Sequence, residues 1–383
     1  MLQSIANFFV TSSGFASLTF GNIIMLIIGA VLIYVGISRD AEPLLLIPIG
    51  FGIIMGNIPP IATGLLAAPV GDSLGGFLWY INRGMYLGIY PPLIFLGIGA
   101  LTDFSYLIAN PILMLLGAAA QVGIFITFVI ANFLGFDLFQ AASIGIIGGA
   151  DGPTAIFLSS KFAPELVAII AVAGYSYIAL IPILQPIVSR FLTTKKERLI
   201  KMKKVRTVSK KERMIFPVIS TIIVALFVPQ ALNLVGMLML GNLLKESGLT
   251  QRLAEASARF ILDSVTILLM ISVGSAATAE LFLTPQSLKI VFLGAFAFIV
   301  SLSSGIFFAK FMNLFLKEKL NPLIGAAGVS AVPDSARVAQ TIAQKDDPTN
   351  FILMHAMAPN VAGVIGSAVA AGVFLNIIPK LMP

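Results

Sequence analysis

Apolar residues run along this chain in long blocks, and polar residues are confined to the gaps between them. Blocks at 22–37, 86–101, 111–134, 166–188, 216–235, 261–279, 290–308 and 351–378 have spanning length or nearly so. Shorter apolar runs at 44–55, 144–158 and 322–332 read as half-helices. At roughly 20 residues per span, the pattern predicts an all-α polytopic membrane protein of about ten transmembrane helices, with broken or re-entrant pieces.

Composition supports this class. The 383 residues are 58% hydrophobic and only 11% charged, where a soluble domain carries about 25% charged residues. With no cysteine and one histidine, His355, disulfides and thiolate or histidine-rich metal sites are excluded. The start of the chain lacks the basic region and small-residue cleavage site of a signal peptide, so the first span is expected to act as the insertion signal.

The net charge of +7 is unevenly placed. Residues 1–189 hold only Arg39, Arg83 and Lys161 as cations, whereas 190–213 hold Arg190, Lys195, Lys196, Arg198, Lys201, Lys203, Lys204, Arg206, Lys210, Lys211 and Arg213. That is a positive-inside signal and puts the 190–213 loop in the cytoplasm. The loop is also suited to anionic lipid or an acidic partner. Nucleic-acid binding does not suit so apolar a chain.

The basic loop separates two halves that resemble each other. Gly52-Ile-Ile-Met-Gly-Asn57 recurs as Met237-Leu-Met-Leu-Gly-Asn242, and Phe95-Leu-Gly-Ile-Gly-Ala-Leu-Thr102 as Met270-Ile-Ser-Val-Gly-Ser-Ala-Ala277. Gly145, Gly148 and Pro153 correspond to Gly325, Gly328 and Pro333, and Gly174-Tyr175 to Pro359-Asn360. The expected organisation is a first membrane repeat over 1–189, the basic loop at 190–213 and a second repeat over 214–383. Inverted repeats are favoured, because they bring both Gly/Pro elements to the midplane, where secondary transporters bind their coupling ions.

Four groups of residues carry candidate chemistry. Asp151 lies in Gly148-Gly-Ala-Asp-Gly-Pro153, inside an apolar run. An acid at bilayer depth usually handles ions or protons; the plainer reading is a helix-capping aspartate. Tyr175 and Tyr177 flank Ser176 in another apolar span, where packing with satisfied hydroxyls is the alternative. The segment from Asn321 to Arg337 is the repeat counterpart of the Asp151 element. It offers Asn321 and Ser330 as neutral oxygens, and in Arg337 a cation suited to a carboxylate or to snorkelling at the interface. Asn360 lies mid-span beside Pro359, with a Gly/Ala/Ser packing stripe behind it. One carboxylate, amide oxygens, a hydroxyl and free carbonyls form a hard-oxygen set suited to Na+. His355 reads as a satisfied buried histidine rather than a proton relay, and no role is settled for Asp334. Glu280 and Asp103 are placed near membrane surfaces. Residues 245–260 read as an amphipathic interfacial helix.

Gly148-Gly-Ala-Asp-Gly-Pro-Thr-Ala-Ile156, the Asn321–Arg337 motif, the Pro359–Gly372 stripe and Glu42-Pro-Leu-Leu-Leu-Ile-Pro-Ile-Gly-Phe-Gly52 together resemble the beta subunit of the sodium-pumping biotin-dependent decarboxylases, nearly end to end. That family includes the oxaloacetate, methylmalonyl-CoA and glutaconyl-CoA enzymes. The resemblance implies decarboxylation of carboxybiotin, consumption of a proton and export of Na+ across a prokaryotic inner membrane. It implies Asp151 as the coupling carboxylate, with Tyr175, Asn321, Gly325, Ser330 and Asn360 in Na+ binding. It also implies Tyr177 in proton transfer and Arg337 in turnover, guiding the carboxylate of carboxybiotin. Implied partners are a biotin carrier, a carboxyltransferase alpha subunit and a small gamma or delta membrane subunit, in a complex with a homo-oligomeric core. The chain has no Ala-Met-Lys-Met motif, so the biotin has to come from a partner.

The rival reading is a secondary Na+-coupled carboxylate transporter or exchanger, with the same repeat and ion site and with Arg337 on the transported anion. A purely structural subunit does not account for Asp151, Asn321 and Asn360 at depth.

Overall fold

The structure is a computed structural model that describes residues 13–39, 42–59, 63–72 and 74–381. The reading of the first residues as lacking a signal peptide therefore falls largely outside the described residues. All regular structure among these residues is helical. The main helices are α1 (Phe20–Ser38), α2 (Pro43–Asn57), α3 (Phe77–Tyr86), α4 (Tyr90–Leu101), α5 (Pro111–Phe133), α6 (Leu138–Gly149), α7 (Gly152–Phe162), α8 (Pro164–Ala179) and α9 (Ile181–Leu192). They continue beyond the basic loop as α10 (Lys210–Phe227), α11 (Leu232–Glu246), α12 (Gln251–Ala276), α13 (Pro285–Phe315), α14 (Leu323–Ala326), α15 (Asp334–Asp346) and α16 (Leu353–Leu381).

Five of these, α1, α5, α12, α13 and α16, are long and apolar enough to cross a membrane. The total is up to seven if the bent pairs α3–α4 (67°) and α8–α9 (66°) each count as one span. The expected total of about ten is not reached by this measure. The shortfall has physical causes. α2 and α6 are apolar but short, and α10 has the length but opens on Lys210-Lys-Glu-Arg213. Half-helices that read as spans in an apolar sequence fall short of spanning length as single helices.

α16 is the central element: 67% of its apolar window is buried, against 17% for α1, which is peripheral. Around it, helices of one half pack on helices of the other. α2 packs against α12, and α4 against α11. Two buried asparagines fasten these contacts. Asn57 Nδ2 donates to the Ala277 carbonyl (2.9 Å), while Asn57 Oδ1 accepts from the Ala279 amide (2.8 Å). Asn242 Nδ2 donates to the Thr102 carbonyl (3.1 Å). Each satisfies carbonyls left open where a partner helix ends, which matters most where no water can do so.

The basic loop is also fastened. Asn321 Nδ2 and Asn350 Nδ2 both donate to the carbonyls of Arg198 and Ile200, at 2.9 to 3.3 Å, and His355 Nε2 lies 2.7 Å from the Lys203 carbonyl.

Candidate ion-coupling site

The first chain break is built by a change of helix type. The end of α6 tightens into a 3-10 turn over Ile146–Gly149, then stops at Ala150, whose φ of 53° is left-handed. Asp151 follows as the N-cap of α7. Its Oδ1 accepts from the Thr154 amide (3.3 Å), and its Oδ2 from the Thr154 hydroxyl (2.8 Å) and the Ser367 hydroxyl (2.5 Å). The capping reading of Asp151 is therefore correct as geometry, and it is compatible with an ion-handling role. Only 7% of the residue is exposed, and the carboxylate sits at the positive end of a helix, where negative charge is favoured. Gly152 is required here for space: a Cβ would lie 2.2 Å from the Tyr175 ring.

The second break meets the first. α14 lasts only Leu323–Ala326, and the chain then runs without regular structure to the cis Val332–Pro333 bond before α15. The amide and hydroxyl of Ser330 both donate to the Gly149 carbonyl, at 2.9 and 2.8 Å. Asn360 reaches the same segment from α16. Its Nδ2 lies 2.7 to 3.3 Å from the carbonyls of Ala327, Val329 and Ala331, and 2.8 Å from Ser335 Oγ. Gln121, at the interruption of α5, is wedged into the crossing. Its Nε2 donates to the Gly117 and Gly328 carbonyls, and its side chain lies against Gly149 and Gly366. Two acceptors here are buried without a partner, Asn360 Oδ1 and Gln121 Oε1. Buried oxygen acceptors without a donor at the crossing of the two breaks are what a hard monovalent cation would complete. Asn360 and Ser367 are two turns apart on one face of α16, about 10 Å along its axis, so the acceptors and the carboxylate lie along one path.

Asp151, Tyr175 and Ser330 line one cavity of about 490 Å3. Its wall also carries Glu42, Asp263 and Asp334 and, among the described residues, no lysine or arginine. An acidic, partly apolar cavity attracts cations to its mouth and lets a carboxylate in only with its charge offset.

The remaining sequence-derived residues lie elsewhere. The Tyr177 hydroxyl donates to the Val291 carbonyl, and its ring packs on Gly294 of α13. Gly325 makes a backbone-to-backbone crossing with Gly305. Asn321 holds the basic loop. The Arg337 side chain is 67% exposed and lies 3.7 Å from Asp334, which reaches the cavity wall that Arg337 itself does not. Ser367, Gln121 and Asp263 were missed by sequence reasoning. Asp263 had a detectable signal, an acid just inside an apolar span. Gln121 and Ser367 had none, because neutral residues in a small-residue background mark nothing on their own.

The family model described as Na+-transporting oxaloacetate decarboxylase beta subunit matches residues 21–378. The chain is 54% identical to the methylmalonyl-CoA decarboxylase subunit beta of Propionigenium modestum, covering 98% of this chain and 100% of that one. It is 50% identical to the glutaconyl-CoA decarboxylase subunit beta of Acidaminococcus fermentans, covering 96% of each. With the oxaloacetate decarboxylase beta chain of Klebsiella pneumoniae the identity is 45%, over 97% and 98% of the two chains.

Proposed function

The chain belongs to the family of Na+-transporting decarboxylase beta subunits, and from that premise we propose that it decarboxylates carboxybiotin brought by a partner and couples this to Na+ export, consuming a proton. The observation that carries the reading is the junction of two chain breaks at a buried carboxylate: Ser330 on Gly149, beside Asp151 in an acidic cavity.

In this reading Asp151 holds either Na+ or a proton, and the switch between them is the coupling step. Ser330, Thr154 and Ser367 supply hydroxyl oxygens, and Asn360 and Gln121 supply amide oxygens along the path. The loss of CO2 from carboxybiotin is favoured when its carboxylate leaves water for a drier cavity. Arg337, exposed beside the cavity-lining Asp334, meets that carboxylate and offsets its charge on entry. A tyrosine returns the proton to the biotin nitrogen. Tyr175 faces this space; Tyr177 would act only by giving up the Val291 carbonyl. Asn321 and Gly325 act indirectly, by setting the position of the second break.

The partners are a biotin carrier and a carboxyltransferase alpha subunit, with a small gamma or delta membrane subunit around a homo-oligomeric core. The chain divides into repeats at 1–189 and 214–383 joined by a cytoplasmic loop at 190–213, in an inner membrane. The relatives named for acyl-CoA substrates are more similar to this chain than those named for oxaloacetate, which favours an acyl-CoA for the whole complex. The test is reconstitution of the complex in proteoliposomes with radioactive Na+ and carboxylated biotin. Na+ uptake that follows decarboxylation supports the reading. Uptake driven by a dicarboxylate gradient without carboxybiotin would replace it with the transporter.

A further inference from the structure

A second cavity, of about 600 Å3, opens under the basic loop and shares no lining residue with the Asp151 cavity. Its cations are Lys201, Lys203, Lys204, Arg206 and Lys319. Three carboxylates offset part of this charge: Asp347 pairs with Lys201, Glu318 with Lys203 and Glu212 with Arg206. Lys204 and Lys319 have no carboxylate partner among the described residues, so two positive charges remain in excess.

The position in the fold says what such a cavity meets. Ile112 lies at the start of α5, Leu316 follows the end of α13, and His355 is in the first turn of α16. A cavity where three spanning helices begin or end lies at the depth of lipid headgroups. Ile112, Met202, Val205, Leu316 and Leu320 give it an apolar wall beside the cations. Basic pockets between spans on the positively charged side are suited to anionic headgroups.

His355 narrows the choice. It is 7% exposed and lines this cavity. Its Nε2 lies 2.7 Å from the Lys203 carbonyl, which can only accept, so Nε2 carries the proton. In the neutral ring Nδ1 is then an acceptor, and it is buried without a partner. Nδ1 is covered, so a donor reaches it only by displacing part of the lining; the anion that suits this cavity best brings such a donor. An ethanolamine headgroup brings a donor but adds an ammonium to a site already in cationic excess. A glycerol headgroup brings a hydroxyl and leaves the phosphodiester charge unopposed.

We infer that this cavity is a binding site for an anionic phospholipid with a hydroxylated headgroup, its phosphodiester held by Lys204 and Lys319 and its hydroxyl by His355 Nδ1. The inference does not depend on the decarboxylase reading. Occupancy would tie the 200–206 segment to the membrane surface, since the same histidine holds the Lys203 carbonyl.

The probes are phosphatidylglycerol, phosphatidylmethanol (the same charge without the hydroxyl) and phosphatidylcholine, titrated into the purified full chain. Thermal unfolding and native mass spectrometry of retained lipid are the readouts. Phosphatidylglycerol is expected to bind tightest, phosphatidylmethanol more weakly, and phosphatidylcholine without protection. Removing one near-surface cation weakens anionic lipid binding by about fivefold, so Lys204→Gln should do this and Lys380→Gln, outside the cavity, should not. His355→Phe should remove the preference for phosphatidylglycerol over phosphatidylmethanol while both are still retained. Equal retention of all three lipids overturns the inference. So does full protection by inorganic phosphate alone, which would make this a free-anion site. Binding of a purified biotin-carrier domain that Lys204→Gln abolishes, with lipid binding unchanged, would reassign the cavity to protein docking.

Discussion

Ser330 and Gly149 are joined by two hydrogen bonds across 181 residues, and both donors come from Ser330. One backbone carbonyl thus couples the two chain breaks. Ser330→Ala keeps the amide bond and removes the hydroxyl, so its stability cost should be about 1 kcal/mol. Na+ transport should fall far more than that cost explains, because the hydroxyl also faces the Asp151 cavity. Thermal unfolding and radioactive Na+ uptake on one preparation separate the two effects; a proportionate loss in both would make Ser330 a structural residue.

Asp151→Asn should abolish transport and decarboxylation while the protein still inserts and folds. The amide keeps the shape but cannot balance Na+ or exchange a proton, and charge counts for more where the dielectric is low. Wild-type protein should gain about 2.7 kcal/mol of stability when Na+ reaches a hundred times its dissociation constant. The Asn variant should melt alike in sodium and choline chloride. Transport by the Asn variant near wild type would remove Asp151 from the coupling step.

Gly152→Ala forces a methyl into the Tyr175 ring, and overpacking of this kind costs about 1–3 kcal/mol. Adding Tyr175→Leu should return part of that stability, because the two residues touch and their effects are not additive. Additive losses in a double-mutant cycle of melting temperatures would contradict the contact.

Acid should loosen the basic loop before it unfolds the membrane core. Hydrogen bonds from Thr349, with Lys201 beside it, hold the Asp347 carboxyl at about 2, below its ordinary 3.8. Arg206, followed by Ser209, holds Glu212 at about 2, below its ordinary 4.5. Both values are lowered by folding, so the stabilisation is complete above the ordinary values and is lost as pH falls from about 4.5 towards 2. Both groups are still reached by solvent, so salt should shrink the effect. Protease cleavage within 195–210, measured from pH 5 to pH 2.5 at low and high salt, reads this directly; a pH-independent cleavage rate would contradict it.

Arg337→Lys should lower turnover more than stability. Lysine keeps the charge but loses the planar fork that grips a carboxylate. Unchanged turnover in the well-folded Lys variant would leave Arg337 only its contact with Asp334.

Much of the architecture was legible because it is written in local composition. Apolar blocks gave the helices, the Gly/Pro clusters gave the breaks at Ala150 and Val332, and an acid in an apolar run gave Asp151. The span total is not settled by composition, because a half-helix such as α2 is as apolar as a whole one. What stayed hidden depends on pairings distant in sequence. Nothing near Ser367 announces a bond to an aspartate 216 residues away, and nothing near Asn321 says that its amide turns to the Arg198 carbonyl rather than to an ion. Oxygen-bearing side chains near a break look alike until the fold decides which way each one faces.

The exchange of partners through Asn57 and Asn242 has a consequence for how the chain is made. Asn57 needs a carbonyl 220 residues ahead of it, whereas Asn242 finds one 140 residues behind. While the ribosome is still translating the basic loop, Asn57 has only the Ile53 carbonyl of its own helix to bond, its Oδ1 still lacks the Ala279 amide, and α2 lacks the surface it will pack against. The first half must therefore wait in the membrane as an open structure, dependent on insertase or lipid for cover. The second half docks onto a template that is already there. A transcript truncated after the loop would leave a stranded half with an unsatisfied polar group at depth, a natural substrate for membrane quality-control proteolysis.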